Sequence, residues 1–211
     1  MPRLEAIKRL GFYPLPERIT DLIIQVVRVD KALLGPWTRI LDPCAGEGVA
    51  LSRLAHAWGA EPFAVELSVA RAAECAKLVP MMLCGSYRQL QEPDAFASVL
   101  YINPPYSDDV SGGRQECQFI RHSTRWLAPG GLLIAVIPEL VVSLRAFESV
   151  MDAFRLVIPY RFPQPEYLDY NQLVVFAVKK RDGDYSGGYT HYDSEPIAEL
   201  GRETYPPARG D

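Results

Sequence analysis

The chain has 211 residues, 48% hydrophobic and 23% charged, which suits one globular domain with a sizeable core. Twenty-two lysines and arginines against 26 acids leave a formal net charge of −4, which excludes a strongly basic nucleic-acid binder. The four cysteines, Cys44, Cys75, Cys84 and Cys117, show no C-x-x-C pair, so neither a zinc site nor a disulfide framework is expected.

Met1 to Glu5 lack the apolar core of a signal peptide, and the longest apolar stretch, Gly131 to Leu144, is short and contains Glu139; a cytoplasmic protein is expected. From Pro16 onward, Ile19, Leu22, Ile23, Val26 and Val27 recur at helical spacing, and Gly35-Pro36 ends the helix. Residues 1–30 are thus expected to form a helical cap that carries Gly11–Pro16 toward a ligand. Trp37 to Leu41 reads as a strand. It runs into Asp42-Pro43-Cys44-Ala45-Gly46-Glu47-Gly48 and then an apolar helical pattern, Val49 to Trp58, stopped by Gly59. Two glycines two residues apart let the backbone turn sharply and approach a ligand, with helix N–H groups aimed at it. The next strand, Glu61 to Glu66, ends in a carboxylate twenty positions after Gly46, where it can accept both ribose hydroxyls of an adenosine. Leu51 stands where a dinucleotide fingerprint has its third glycine, so a nicotinamide or flavin cofactor is not supported. Taken alone, Gly46 and Gly48 also describe an ordinary strand-to-helix turn, Glu66 a solvated carboxylate, and Cys44 a small residue packed in the turn.

Ala70 to Leu78 reads as a helix, and Met81 to Cys84 as a short strand with its methionines in the sheet core. Ala97 to Ile102 has the content of a buried strand and leads straight into Asn103-Pro104-Pro105-Tyr106. The prolines stop the strand and lock the turn. Such a turn presents an amide, a carbonyl and an aromatic ring at the carboxyl edge of the sheet, where open α/β sheets bind ligands. The Asn103 oxygen and the Pro104 carbonyl can each accept one N–H of an amino group while Tyr106 covers its plane. Holding both hydrogens draws the nitrogen lone pair out of conjugation, which fits methyl transfer to that nitrogen. A proline-stiffened turn with a packed tyrosine has the same sequence. Ser107 to Arg114 reads as a polar loop beside this turn, either a closing element or a solvated connector. Glu116 to Trp126 is helical, with Phe119, Ile120 and Trp126 buried. Leu132 to Ile137 reads as a buried strand, Glu139 to Phe154 as the last major helix, and Leu156–Tyr160 with Leu173–Val178 as an antiparallel hairpin. The Lys179-Lys180-Arg181 cluster reads as a solvated strand end. Residues 1–180 are expected to form one domain and 181–211 a polar tail, poorly ordered or packed on a partner.

The pairing of Asp42-Pro43-x-x-Gly46-x-Gly48 with Asn103-Pro104-Pro105-Tyr106 resembles the class I S-adenosylmethionine-dependent amino-methyltransferases, and most of all the N6-adenine DNA methyltransferases. Gly11-Phe12-Tyr13-Pro14-Leu15-Pro16 resembles their cofactor-contacting N-terminal segment, although Leu15 stands where those enzymes commonly have threonine. The resemblance implies a Rossmann-like α/β fold. Its sheet would have seven mostly parallel strands and an antiparallel C-terminal hairpin, with helices on both faces. It implies S-adenosyl-L-methionine as cofactor, with Tyr13, Pro14, Asp42, Cys44, Gly46 and Gly48 around its methionine part. Glu66 would hold the ribose, Ser86 the adenine, and Asn103 the reacting centre. Asn103, Pro104, Pro105 and Tyr106 would carry catalysis, with Tyr106, Phe162 and Tyr167 against the target base. The expected substrate is the N6 amino group of adenine in nucleic acid, DNA first. With no separate recognition domain, a partner subunit or homodimer would supply target recognition. RNA bases, protein glutamine side chains, and a non-catalytic cofactor-binding subunit are the alternatives.

Overall fold

In the computed structural model, which describes residues 13–27, 38–106, 114–184 and 197–201, seven strands form one sheet. They are β1 (Arg39–Asp42), β2 (Glu61–Glu66), β3 (Met81–Cys84), β4 (Ala97–Ile102), β5 (Leu127–Pro138), β6 (Phe154–Arg161) and β7 (Gln172–Lys179). Their order is β3-β2-β1-β4-β5-β7-β6. β1 through β5 pair in parallel, while β7 runs antiparallel to both β5 and β6. The strand order reverses between β1 and β4, so a crevice opens at their carboxyl ends.

The inner runs of the central strands, Ile40-Leu41, Val99–Ile102 and Leu132–Ile137, are continuously apolar because both faces of the sheet are covered. Along β5, Leu133, Ala135 and Ile137 enter one core with α4 (Gln115–Ser123), α5 (Glu139–Val142) and α6 (Arg145–Met151). Ile134 and Val136 enter the other, with α1 (Glu17–Val26) and α2 (Val49–Trp58). In α2 the buried residues are Leu51, Leu54, Ala55 and Trp58, a repeat that puts one helical face on the sheet. Each of the larger ones contributes about 1.5–3 kcal/mol by leaving water. Gly59, left-handed at φ 64°, closes the helix. Between β2 and β4 the chain forms α3 (Val69–Cys75), and α7 (Glu166–Tyr170) lies between β6 and β7.

Three expectations change. Met81 is half exposed, because β3 is the outermost strand; only Met82 packs against the core. The long helix expected over Glu139–Phe154 is two short ones. The Ser143 hydroxyl donates to the Leu140 carbonyl at 2.9 Å, and Leu144 adopts an extended backbone that caps α6. Residues 197–201 are not a loose tail. Arg161 N–H donates to the Ala198 carbonyl (2.9 Å) and Leu200 N–H to that of Arg161 (2.8 Å), so the segment pairs with the outer edge of β6 at its last residue, with Leu200 buried. The expected loop at Ser107–Gly113, the stretch Gly11-Phe12, the Gly35-Pro36 stop and residues 185–196 and 202–211 lie outside the described residues. Among the described residues no helix is long and apolar enough to cross a membrane.

Candidate active site

Asp42 ends β1 and Asn103 follows β4, so both stand at the reversal of the strand order. The turn after β1 is pinned by Ala45 N–H donating to the Val65 carbonyl at 2.9 Å. Gly46 (φ 59°) and Gly48 (φ 76°) are both left-handed, and a Cβ on Gly48 would lie 2.6 Å from the Cys75 sulfur. The glycines are thus required by conformation and by close approach. Gly48 also caps α2, leaving the first N–H groups of that helix facing the crevice.

Two cavities meet here. One, of about 320 Å³, is lined by Glu66, Leu67, Ser86, Pro105 and Phe119 among others. The second, of about 380 Å³, is lined by Pro14, Asp42, Gly48, Val49 and Tyr101 among others. Tyr13, Cys44 and Asn103 line both. A ligand with an apolar planar end and a charged small end fits this pair. Leu67, 72% exposed, offers an apolar face at the first.

Glu66 is buried and already well supplied with donors. One oxygen accepts Gly46 N–H (2.9 Å); the other accepts Ser68 N–H (2.8 Å) and two Arg71 nitrogens (3.0 and 2.7 Å). A carboxylate has about four acceptor positions, so taking two ribose hydroxyls requires Arg71 to give way. Sequence reading had no signal for Arg71, since an arginine five residues beyond a strand end is an ordinary surface residue. Ser86 lines the first cavity, but its hydroxyl already accepts Arg88 N–H at 3.3 Å in a short helical turn.

Burial pushes the Asp42 carboxyl up to about 7, although Cys44 N–H donates to it at 2.9 Å. Burial, and then the Asp42 carboxylate, push the Cys44 thiol well up, which keeps it protonated and unreactive. Burial likewise raises the Tyr106 phenol far above its usual range.

Asn103 is oriented by its neighbours. Its Nδ2 donates to the Tyr13 carbonyl (2.7 Å), and its Oδ1 accepts the Tyr106 hydroxyl (2.6 Å). The Tyr106 and Tyr13 rings stack with centroids 5.2 Å apart and planes 25° apart. The Tyr106 hydroxyl also lies 3.5 Å from the Val136 carbonyl. Pro104 is buried in the turn and Pro105 lines the first cavity.

The two aromatics expected against a target ring from the β6–β7 connection are engaged elsewhere. Phe162 is 1% exposed and packed in the core beside α1 and α2, so it has no free face and the expectation is corrected. Tyr167 donates its hydroxyl to Glu139, and its ring is covered by the Arg161 guanidinium at 5.6 Å. Lys179 points inward, donating to the Thr124 and Leu127 carbonyls.

The fold is that of class I S-adenosylmethionine-dependent methyltransferases. A Listeria monocytogenes protein described as such an enzyme matches with a TM-score of 0.65 and 15% identity, over 94% of this chain and 69% of its own. The methyltransferase subunit of a Streptococcus thermophilus type I restriction-modification system matches with a TM-score of 0.63 and 15% identity, over 82% of this chain and 45% of its own. A tRNA (m1A58) methyltransferase of Aquifex aeolicus matches with a TM-score of 0.60 and 15% identity, over 84% of this chain and 76% of its own. No curated protein matches the sequence. A family model covers residues 1–199, nearly the whole domain that holds these cavities, and by it the chain belongs to the uncharacterised methyltransferase family DUF6094.

Proposed function

We propose that the protein uses S-adenosylmethionine to methylate the exocyclic N6 amino group of adenine in nucleic acid, DNA first. The observation that carries this reading is the fixed orientation of Asn103. Because its Nδ2 is committed to the Tyr13 carbonyl, its oxygen is the face turned to the turn where Tyr106 stands. An acceptor so held suits the N–H of an amine.

The residues around the two cavities fit the cofactor. Its adenine suits the apolar walls at Leu67, Pro105 and Phe119, beside Ser86. Its ribose suits Glu66 once Arg71 moves aside, and the amino-acid end suits the cavity at Asp42, Gly48, Tyr13 and Pro14, with Gly46 in the same turn. When bound, S-adenosylmethionine supplies an electrophilic methyl carbon. The chain's own part is orientation and exclusion of water. Asn103 Oδ1 and the Pro104 carbonyl would accept the two amine hydrogens and hold the nitrogen lone pair toward the methyl, and one of these hydrogens would leave as a proton to solvent after transfer. In this step the incoming amine displaces the Tyr106 hydroxyl from Asn103. The Val136 carbonyl, 3.5 Å away, is left to accept from that hydroxyl. Tyr106 then covers one face of the target ring; Tyr13, which stacks on Tyr106 with centroids 5.2 Å apart, has to part from it before its ring can take the role first given to Phe162 on the other. Two stacked aromatic walls suit a base better than an open-chain amide, and would offset part of the few kcal/mol that unstacking a base costs. The restriction-modification subunit among the structural matches supports a nucleic acid substrate. With the described domain used for catalysis, target recognition falls to a partner subunit or second copy.

The test is transfer of labelled methyl groups into duplex DNA, single-stranded DNA, RNA and whole-cell protein, followed by nucleoside and amino-acid analysis. N6-methyladenine in DNA is expected. Label confined to RNA or to protein glutamine replaces the substrate, and no label despite cofactor binding favours a non-catalytic subunit. Asn103→Ala is expected to lower kcat by about a hundredfold or more while leaving cofactor Kd within about threefold. Equal losses in both would remove Asn103 from its role.

A further inference from the structure

Tyr101 sits in β4 two residues before Asn103 and is 2% exposed. Its hydroxyl is wholly buried and has no hydrogen-bond partner among the described residues. Buried hydroxyls are nearly always bonded, since an unmet donor keeps the full cost of leaving water. Trp58, Ser123 and Trp126 also bury an unpartnered polar atom, but none of them lines either cavity. Tyr101 does: it forms part of the wall of the 380 Å³ cavity, together with Asp42, Gly48, Val49 and Ala50.

That wall has two electrostatic characters. Asp42 is the acid, and its nearness to Tyr101 is one of the causes, after burial, that hold the phenol well above its usual range. The phenol therefore stays protonated and can serve as a donor. Gly48, Val49 and Ala50 begin α2, a ten-residue helix whose first N–H groups carry partial positive charge. A cavity whose wall holds an acid, a hydroxyl and a helix start suits a zwitterion.

Resting on the cofactor reading above, we propose that Tyr101 is the donor for the carboxylate of an amino-acid ligand end, with Asp42 facing its ammonium. The hydroxyl is the group left unmet until the cofactor arrives. Tyr101 thereby selects for ligands that keep the carboxylate. Its position in the strand leading to Asn103 ties recognition of that carboxylate to the residue that receives the target amine.

The experiment is calorimetric titration of wild type and Tyr101→Phe at pH 8 with two ligands. One is S-adenosylmethionine; the other is decarboxylated S-adenosylmethionine, which keeps the sulfonium and the ammonium. Tyr101→Phe is expected to weaken the first by roughly ten- to hundredfold, the range of a hydrogen bond to a charged group. It is expected to leave the second within about threefold, inside the usual scatter of such comparisons. The melting temperature of ligand-free Tyr101→Phe should equal or exceed that of wild type, because the lost hydroxyl had no partner. Unchanged affinity for S-adenosylmethionine overturns the proposal, as does an equal loss for both ligands or a lowered melting temperature. Failure of wild type to bind S-adenosylmethionine at all overturns the cofactor reading itself, and this proposal with it.

Discussion

Asp42 carries two opposed consequences. Its carboxyl is 2% exposed and raised from 3.8 to about 7 by burial, so the folded state holds its proton more tightly than the unfolded chain does. Stability from this group is therefore complete below about 3.8, falls as the pH rises to about 7, and is flat above. The total is about 4 kcal/mol at the rate of 1.36 kcal/mol per pKa unit. Asp42→Asn keeps an oxygen for Cys44 N–H, and it is expected to be more stable than wild type at pH 8 by about 1–4 kcal/mol in urea unfolding. The gain should vanish near pH 4. If Asp42 faces the cofactor ammonium, cofactor affinity in wild type should weaken as the pH drops through about 7, and that dependence should be absent in Asp42→Asn. Gly48 offers a second residue-scale test. Gly48→Ala forces a side chain into left-handed backbone and against Cys75, and should cost about 1–3 kcal/mol. The cost should be smaller in a Cys75→Ala background, where the clash is gone and only the backbone strain remains.

At the scale of elements, the sheet has two outer strands and treats them differently. β3 leaves Met81 and Leu83 exposed, while the last residue of β6, Arg161, is paired on its outer side with residues 198–200. Gly201, at φ 88°, allows that segment to approach Leu22 on α1, where a Cβ would come within 2.9 Å of the leucine. The segment therefore joins the cap helix to the sheet edge. A chain ending at residue 196 loses two backbone hydrogen bonds and the buried Leu200. Calorimetry should show a melting temperature lower by about 4–8 °C, the shift expected for roughly 2 kcal/mol in a protein of this size. Sedimentation should show concentration-dependent association through the bared edge. An unchanged melting temperature would make the segment an ornament of the fold.

Across the whole molecule the charge distribution bears on the substrate. The net charge is −4, and Arg18, Arg53, Arg71, Arg114, Arg125 and Arg161 are each held by a carboxylate. Few of these cations are at liberty to replace the counterions of a phosphate backbone. If a nucleic acid is the substrate, its binding should depend weakly on salt, with less than about twentyfold loss between 50 and 200 mM salt. A steeper loss, measured by fluorescence anisotropy with a short duplex, would mean that a basic strip outside the described residues, or a partner, carries the contact.

The strand–turn–helix at Asp42–Trp58, the strands Glu61–Glu66 and Ala97–Ile102, and the antiparallel pair after Phe154 were legible in the sequence. Their apolar runs, glycine turns and proline stops are local signals. So were Asp42, Gly46, Gly48, Glu66 and Asn103 as residues of one crevice, because each sits at the carboxyl end of a strand or in the turn after it. What lies opposite a residue is not local. Phe162 and Tyr167 have the same composition signal, yet the packing of α1 and α2 buries the first, and Glu139 with Arg161 engages the second. The exposure of Met81 followed from β3 taking the sheet edge, and the break at Leu144 from one backbone angle. Arg71 on Glu66 and the unmet hydroxyl of Tyr101 emerged only once separate strands were brought side by side. Sequence periodicity determines which face of an element is apolar, and tertiary packing alone decides which atoms meet across it.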